Sequence, residues 1–286
     1  MGFIATEVNQ SLYIFQNEET IITIWIHVDD GVVASNSVDA VSSFKNALCA
    51  ELNIKWSDVV QQIVGLKCAI GEGEVTTAQW RLTDSILDTY LRPILQRDSP
   101  LPMLPAGGLM MDAEILVRDW ISSLAGGINI CPKHLSLSLW SDAGWGGDLE
   151  RLQAGFVIKL GDTPILWGSK RQAVVALSTC AMEYVALSDS TQHFVQAINQ
   201  LTQLAGNFNK TIFCDNQAAV QVSIYNKSRK RMCYLDRAFF FVNDTIQKHN
   251  IKVVWVKTTD MQANALTKQL LGPVLLQALP FLGITG

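Results

Sequence analysis

The alternation of apolar and polar residues over the first fifty positions follows the pattern of a β-hairpin and a helix. Apolar and β-branched residues dominate Leu12 to Phe15 and Ile21 to Val28, and the polar run Asn17-Glu18-Glu19 separates them. Two such runs around a short polar loop predict a β-hairpin. From Val38 to Leu52 the apolar residues recur every three to four positions, which predicts a helix.

The middle of the chain has weaker patterns and more turn residues. The run from Ile63 to Ile70 predicts a strand, and Ser85 to Leu95 places its apolar residues on one side of a helix. Prolines and paired glycines between 97 and 112 predict a linker. The signals from Ile115 to Ile130 are mixed, because a helical pattern there is weakened by Gly126-Gly127.

The second half alternates strands and helices in the order of a single α/β domain. Three strands are followed by a long amphipathic helix, a fourth strand, two helices, a fifth strand and a final helix. This order predicts a mixed five-stranded sheet with flanking helices. The predicted strands are Leu135–Ser141, Gly155–Leu160, Pro164–Ser169, Lys210–Cys214 and Ile251–Val256, and the predicted helices are Cys180–Ala205, Asn216–Ile224, Leu235–His249 and Gln262–Leu271.

Composition indicates a folded chain without a membrane span. The 286 residues suffice for one large domain or two ordinary ones, and 49% of them are apolar. No apolar run approaches the length of a membrane span. Glu7 and Asn9 interrupt the N-terminus too early for a signal peptide.

Cysteines, histidines and charge narrow the function classes. The six cysteines form no Cys-x-x-Cys pair and the four histidines have no zinc spacing, which argues against structural zinc. Scattered thiols predict an intracellular protein of the cytoplasm or nucleus. The net charge is −4, but eight Lys or Arg lie between 227 and 257 against two Asp. That basic region is either a solvated surface or a phosphate-binding one, and the sequence leaves both open.

Three carboxylates stand at the ends or starts of predicted elements. Asp142 ends the first strand, Glu183 lies in the first turn of the long helix, and Asp215 ends the fourth strand. Taken singly, each has an ordinary explanation as a strand-end residue, a partner of the helix dipole or a helix cap. Taken together, they are the hard oxygen ligands that magnesium prefers. Two such ions roughly 3.5–4 Å apart can serve an in-line displacement at phosphorus.

The residues around these carboxylates resemble the ribonuclease H domain of Ty1/copia-type retrotransposon polyproteins over 137–270. The matching segments keep the family's order and rough spacing. They are Trp140–Asp148, Ile165–Gln172, Val175–Thr179, Glu183–Ser188, Cys214–Ala219, Val256–Asp260 and Ala263–Lys268. The resemblance implies a ribonuclease H-like α/β fold over 137–275.

The N-terminal segment resembles the reverse transcriptase palm of the same polyproteins. Met1-Gly2-Phe3, Ser11–Ile14 and His27-Val28-Asp29-Asp30 fall where that family carries its palm hairpin, with His27 in place of the usual tyrosine. The resemblance implies a partial α+β palm over 1–96 and a linker with a remnant connection over 97–136. Asp29 and Asp30 are then vestigial polymerase residues, although aspartates also suit a tight turn. Polymerase activity should be absent, because the family's further metal-binding aspartate and its fingers are missing.

The implied reaction is hydrolysis of the RNA strand of an RNA/DNA hybrid. Two Mg²⁺ (or Mn²⁺) ions would be held by Asp142, Glu183 and Asp215, with no small-molecule cofactor. We expect these carboxylates to converge on one partly exposed depression, within about 4–7 Å of one another. The family's fourth catalytic carboxylate is Asn264 here, which offers a carbonyl oxygen without a charge. Asp260, one helical turn earlier, is an alternative fourth ligand.

The resemblance also implies which residues contact a hybrid. The amides of Asn216 and Gln217 would reach sugar or base edges. Phosphates would be contacted by Lys170, Arg171, Lys227, Arg229, Lys230 and Arg231. Two other functions stay open: a catalytically inactive folded remnant that at most binds nucleic acid, and a domesticated interaction module. Asn264 favours the remnant, and no residue pattern favours the module.

Overall fold

The computed structural model describes residues 2–72, 74–78, 128–130, 134–145, 152–172, 178–224, 236–267 and 277–282. These residues form three β-sheets and four α-helices. None of the helices in these ranges is both long enough and apolar enough to cross a membrane.

The first sheet contains the predicted hairpin. Its strands β1 to β4 pair antiparallel in chain order. Asn17 closes the hairpin loop, because its side-chain oxygen accepts hydrogen bonds from the backbone N–H groups of Glu19 and Thr20. The hairpin prediction is therefore confirmed. The four strands are Ile4–Ala5, Leu12–Gln16, Ile21–His27 and Asp30–Ser35.

Helix α1, Val38–Glu51, confirms the predicted helix after the hairpin. Its N-cap is Ser37, whose hydroxyl accepts a hydrogen bond from the backbone N–H of Ala40. Among the described residues 2–72 and 74–78, Ile22 and Phe44 are the apolar side chains that are buried. The apolar core of this part of the chain is therefore small.

The second sheet corrects two predictions. Its strands β5 to β8 are Gln62–Ile63, Leu66–Ile70, Val75–Ala78 and Ile128–Ile130, paired antiparallel in that order. The prediction of one continuous strand from Ile63 to Ile70 is wrong, because Val64 and Gly65 adopt positive φ values and form a turn inside it. A helix was one interpretation of Ile115–Ile130, but its last three residues form β8, which pairs with β7. The predicted helix Ser85–Leu95 and the linker 97–112 lie outside the described residues.

We expect limited proteolysis to cut the full chain near 97–112 and to leave the C-terminal fragment intact. The N-terminal residues that the structure describes bury little apolar surface, so this part of the chain should open more easily than a domain with a larger core. Mass spectrometry of the fragments after a short protease exposure measures the cut sites. Equal resistance of both halves would contradict a weak N-terminal core.

The third sheet confirms the predicted mixed five-stranded sheet. Its strands stand in the order β11-β10-β9-β12-β13. β9, β10 and β11 are antiparallel neighbours, whereas β12 runs parallel to both β9 and β13. The strands are Ser136–Trp145, Leu152–Leu160, Thr163–Arg171, Asn209–Cys214 and Lys252–Trp255.

Helices α2, α3 and α4 accompany this sheet. They are Thr179–Ala205, Gln217–Ile224 and Asp236–His249. The larger core lies between α2 and the sheet, where Leu139, Ile158, Tyr184, Leu187 and Phe194 are fully buried in one cluster.

Local signals explain where α2 begins and ends. The Ser178 hydroxyl caps its start by accepting a hydrogen bond from the backbone N–H of Ala181. Gly206 ends it with a φ of 73°, a conformation that glycine adopts without steric cost. Both residues agree with the predicted span Cys180–Ala205 to within one position.

The C-terminal part of this domain corrects the predicted final helix. Over its described residues, 262–267, the predicted helix Gln262–Leu271 is replaced by turns, including the 3-10 turn Asn264–Leu266. Another 3-10 turn, Thr258–Asp260, lies before it. Met261 and Ala263 are buried with Val157 on the sheet face away from α2. Residues 268–271 of the predicted helix lie outside the described residues.

Candidate active site

Asp142 lies inside the central strand β9 and is 0% exposed. The preceding residue, Ser141, accepts a 3.1 Å hydrogen bond from the hydroxyl of Ser190 in α2. Successive side chains of a strand point to opposite faces of the sheet. The Asp142 side chain therefore lies on the face away from α2.

The C-terminal segment, Thr258–Thr267, packs on that same face. The Thr267 hydroxyl donates a hydrogen bond to Oδ2 of Asp142. Gly155 is the partner of Asp142 on β10. A Cβ atom on Gly155 would lie 2.7 Å from Cγ2 of Thr267 and 2.8 Å from Cβ of Leu266. The glycine therefore allows the segment to approach the sheet beside Asp142.

Asp215 follows the last residue of β12 and is half-buried. The register of β9 and β12 places it next to Asp142, on parallel strands about 4.8 Å apart. The Thr258 hydroxyl donates a 2.8 Å hydrogen bond to Oδ2 of Asp215. The indole N–H of Trp255 donates a 2.8 Å bond to the Asp215 carbonyl oxygen. Both aspartates are therefore contacted by hydroxyls of the C-terminal segment.

Glu183 reaches the site from the other face of the sheet. It lies in the second turn of α2, one turn later than predicted, and is 6% exposed. One carboxylate oxygen of Glu183, the Cys214 sulfur and one carboxylate oxygen of Asp215 all lie within 4.8 Å of one another. Asp142 is not part of this group. Glu183 and Asp215 thus meet at the carboxyl end of β12, where the sheet no longer separates its two faces.

The expectation of one shared depression required Asp142 and Glu183 on the same side of the sheet, and their positions contradict that requirement. Asp142 and Glu183 are buried and approach from opposite faces, and Asp215 lies between them at the strand end. A cation shared by all three carboxylates must therefore lie beyond the carboxyl end of β12. Sequence periodicity does not indicate this two-sided approach, because it does not show on which face of the sheet each element packs.

The buried thiol of Cys214 lies beside the acids Glu183 and Asp215. Burial raises the pKa of the Cys214 thiol, and the negative charges of Glu183, Asp215 and Asp142 raise it further. Burial also raises the pKa of Cys180, with a further contribution from Glu183. The carboxylate oxygens of Glu183 and Asp215 are donors of the kind that suits hard cations.

Asn264 and Asp260 have different surroundings. The Asn264 side-chain N–H donates to the carbonyl oxygen of Thr258 at 2.5 Å. Asn264 is thereby tied to the residue whose hydroxyl binds Asp215. Asp260 is exposed and accepts a 3.2 Å hydrogen bond from the neighbouring Thr259 hydroxyl. Of the two, Asn264 has the closer connection to the carboxylates.

The residues predicted to contact a hybrid lie at several places. Asn216 caps α3, since its side-chain oxygen accepts a 3.0 Å bond from the backbone N–H of Ala219. Gln217 is exposed. Lys170 and Arg171 are both exposed on β11 but alternate in direction, and the strand register puts Arg171 on the face of Asp142. The basic residues Lys227, Arg229, Lys230 and Arg231 lie outside the described residues.

Asp29 and Asp30 lie in the first sheet, not with the other acids. They are exposed at the tip of β3 and β4, where Val28 has a φ of 52°. The predicted tight turn is therefore confirmed.

Sequence reasoning missed Gly155, Thr258 and Thr267. The two threonines fall inside the matching segments Val256–Asp260 and Ala263–Lys268, and that position was the available signal. A glycine inside a strand is a weaker signal of close approach.

Relatives of the chain are Pol polyproteins of plant transposons. The retrovirus-related Pol polyprotein from transposon RE2 of Arabidopsis thaliana is 23% identical over 330 positions, with 94% of this chain and 22% of the relative covered. That from transposon TNT 1-94 of Nicotiana tabacum is 21% identical over 318 positions, with 88% and 24% covered. The chain therefore spans less than a quarter of the length of these relatives. No protein-family model matches the chain.

Solved structures similar to the chain include two RNase H proteins. The N-terminal RNase H domain of a Mycobacterium tuberculosis protein is 14% identical, covers 51% of this chain and 99% of its own, and has a TM-score of 0.38. An LC11-RNase H1 solved in complex with an RNA/DNA hybrid is also 14% identical, covers 49% and 99%, and has a TM-score of 0.35.

The sequence relatives indicate the origin of the chain, and the strand order indicates its fold. The transposon relatives align with nearly all of it. The sheet order β11-β10-β9-β12-β13, with three antiparallel strands followed by two parallel ones, agrees with the predicted mixed five-stranded sheet. The chain is therefore related to the Pol polyproteins of copia-type retrotransposons over most of its length, and its five-stranded sheet has the ribonuclease H-like fold.

Proposed function

We propose that the ribonuclease H-like domain hydrolyses the RNA strand of RNA/DNA hybrids with two divalent cations, Mg²⁺ or Mn²⁺. The observation that carries the proposal is the position of Asp215. Its carboxylate lies within 4.8 Å of Glu183, and it stands beside Asp142 on the adjoining strand. A two-cation phosphodiesterase needs carboxylates grouped in this way.

The donor atoms fit hard cations. Asp142, Glu183 and Asp215 supply carboxylate oxygens, which magnesium and manganese accept. Carboxylates this close repel one another, and a bound cation offsets that repulsion. Bound divalent ions supply Lewis acidity at the scissile phosphodiester.

The chain's own residues would hold and orient the substrate. Arg171 lies on the same face as Asp142 and is placed to contact a phosphate beside the acids. Gln217 is exposed directly after the Asp215 strand end, so its amide is placed to contact a ribose 2′-hydroxyl. Asn216 uses its oxygen to cap α3, which leaves its side-chain N–H as the group for such contacts. Lys170 and the basic residues of 227–231 would add sequence-independent attraction.

Domain organisation belongs to the same proposal. Residues 1–96 would be a partial palm, 97–136 a shortened connection and 137–275 the nuclease domain. The alignment with the RE2 polyprotein runs over 330 positions, more than the 286 residues of this chain, so the relative carries residues that this chain lacks.

The second candidate function is an inactive remnant that at most binds nucleic acid. Asn264 favours it, because the fourth carboxylate of the family is a neutral amide here. Removing one negative ligand lowers the affinity of a carboxylate site for divalent cations. The proposed nuclease and the remnant differ in whether any metal restores cleavage.

We expect the full chain to cleave the RNA strand of a labelled hybrid in the presence of a divalent metal, faster with Mn²⁺ than with Mg²⁺. Manganese binds such sites more tightly in general, and its gain is largest where one negative ligand is missing. Initial rates with Mg²⁺, Mn²⁺ and EDTA measure this, with single-stranded RNA and duplex DNA as substrate controls. Hybrid binding without cleavage in either metal would support the remnant.

A further inference from the structure

Two threonine hydroxyls of the C-terminal segment contact the two strand-borne aspartates. Thr267 donates to Oδ2 of Asp142 across 125 positions of sequence. Thr258 donates to Oδ2 of Asp215 at 2.8 Å. The Thr267 hydroxyl also lies 3.2 Å from the carbonyl oxygen of Asn264. A hydroxyl can donate one hydrogen bond, and a carboxylate is a stronger acceptor than a carbonyl oxygen. The Thr267 hydroxyl therefore donates to Asp142.

The segment is held against the sheet at several independent points. Cγ2 of Thr267 packs against Gly155, where there is no room for a Cβ. The Ser169 hydroxyl donates to the carbonyl oxygen of Leu266 at 2.6 Å, and Gln153 donates to Ser169 at 2.7 Å. The Thr267 side chain is 3% exposed, so its rotamer is set by packing. A hydroxyl on a fixed rotamer can define the rotation of the carboxylate it contacts.

Asn264 connects the two threonines. Its side-chain N–H donates to the Thr258 carbonyl oxygen, and its own carbonyl oxygen accepts the backbone N–H of Thr267 at 3.2 Å. Asn264, where the resemblance implies a carboxylate, thus connects the two threonines in this chain. Because Asn264 carries no charge, this segment would contribute to the site by orienting the remaining acids.

We propose that Thr267 and Thr258 are positioning residues that orient the carboxylates of Asp142 and Asp215 toward the proposed cations. This inference rests on the proposed metal site, and it goes further by assigning the orientation of each aspartate to a named hydroxyl. Partners that hydrogen-bond a metal ligand typically change metal affinity 10- to 100-fold when removed. The buried Thr267 should have the larger effect, because water can replace the exposed Thr258 hydroxyl.

The shape of the Thr267 site offers a matched pair of variants. Thr267→Val keeps the methyl that packs on Gly155 and removes the hydroxyl. Thr267→Ser keeps the hydroxyl and removes the methyl. Mn²⁺ affinity of the full chain, followed as free Mn²⁺ by electron paramagnetic resonance, is the main measurement. Thermal unfolding in EDTA reports the structural contribution separately.

We expect Thr267→Val to weaken Mn²⁺ binding about 10- to 100-fold and Thr267→Ser to weaken it by less than about threefold. Thr258→Val should weaken binding about threefold, and it stays informative if Thr267→Val does not fold. Equal Mn²⁺ affinity of Thr267→Val and the native chain would overturn the proposal. So would Thr267→Ser binding as weakly as Thr267→Val, because packing of the methyl would then be the cause.

Failure of the nuclease function can be distinguished from failure of this inference. If the native chain binds Mn²⁺, loses affinity in Thr267→Val and cleaves no hybrid, the threonines orient the acids and the nuclease proposal fails. If the native chain cleaves hybrids and the threonine variants bind Mn²⁺ normally, the positioning role is refuted while the nuclease proposal stands. A native chain that binds no Mn²⁺ contradicts both.

Discussion

Replacing Asp142 by Asn is expected to lower RNA-strand cleavage at least about 10³-fold, which corresponds to about 4 kcal/mol of barrier. Asp142 stands next to Asp215 on the adjoining strand of the proposed site. Asn keeps the shape of the side chain and can still accept a hydrogen bond from the Thr267 hydroxyl, but it carries no charge. Initial cleavage rates in Mg²⁺ and Mn²⁺ measure the loss.

Stability should move in the opposite direction in this variant. Removing one of three close carboxylates reduces their mutual repulsion, so we expect the unfolding temperature in EDTA to stay the same or rise. The matched control is Asp189→Asn, since Asp189 is exposed on α2, and it should leave cleavage unchanged. Cleavage within tenfold of the native rate in the Asp142 variant would refute a catalytic role.

Replacing Asn264 by Asp is expected to raise magnesium-dependent cleavage about tenfold, or about 1.4 kcal/mol of barrier. Three carboxylates must balance two divalent ions and a phosphate, and a fourth adds charge where Asn offers a dipole. The hydrogen bond from Asn264 to the Thr258 carbonyl is lost in the same change. We therefore expect a lower unfolding temperature in EDTA and a larger stabilisation by Mg²⁺ than in the native chain.

Three companion variants make this prediction specific. Asn264→Ala loses the same hydrogen bond without gaining charge, so it should lower both stability and metal affinity. The double variant with Asp142→Asn should not cleave. An unchanged rate in Asn264→Asp, together with loss of cleavage in Asp260→Asn, would show that Asp260 is the fourth ligand. Asp260 is exposed and bonded to its own neighbour, which makes that outcome the less expected one.

An amide in place of a carboxylate is compatible with both candidate functions. A nuclease that has lost one negative ligand should be repaired by Asn264→Asp or by manganese. A remnant should respond to neither, even if it binds hybrids. The same set of rates therefore decides whether the Asn264 substitution lowered the activity of the proposed site or accompanied its loss.

Local patterns determined much of the second half from sequence. Period, capping and turn residues place α2 to within one residue of its predicted start, because Ser178 and Gly206 act within one turn of the chain. The order of Asp142, Glu183 and Asp215 along strand, helix and strand is also a property of the sequence.

Two elements were placed wrongly from the sequence, one because of its backbone conformation and one because of packing onto the sheet. The continuous strand Ile63–Ile70 is divided by positive φ at Val64 and Gly65, and a valine gives no warning of that conformation. Over its described residues the predicted final helix is replaced by turns, including the 3-10 turn Asn264–Leu266, and Ala263 just before that turn packs with Val157 on the sheet face away from α2.

The sequence by itself determined the transposon relationship, the mixed five-stranded sheet and the candidate acids, since each depends on residue types and their spacing. Only the tertiary structure decided that Asp142 and Glu183 approach from opposite faces and that Thr267 contacts Asp142. The physical reason is that these contacts join residues far apart in the chain. They depend on strand register, on the face chosen by each packing element and on the space left by Gly155, none of which local periodicity records.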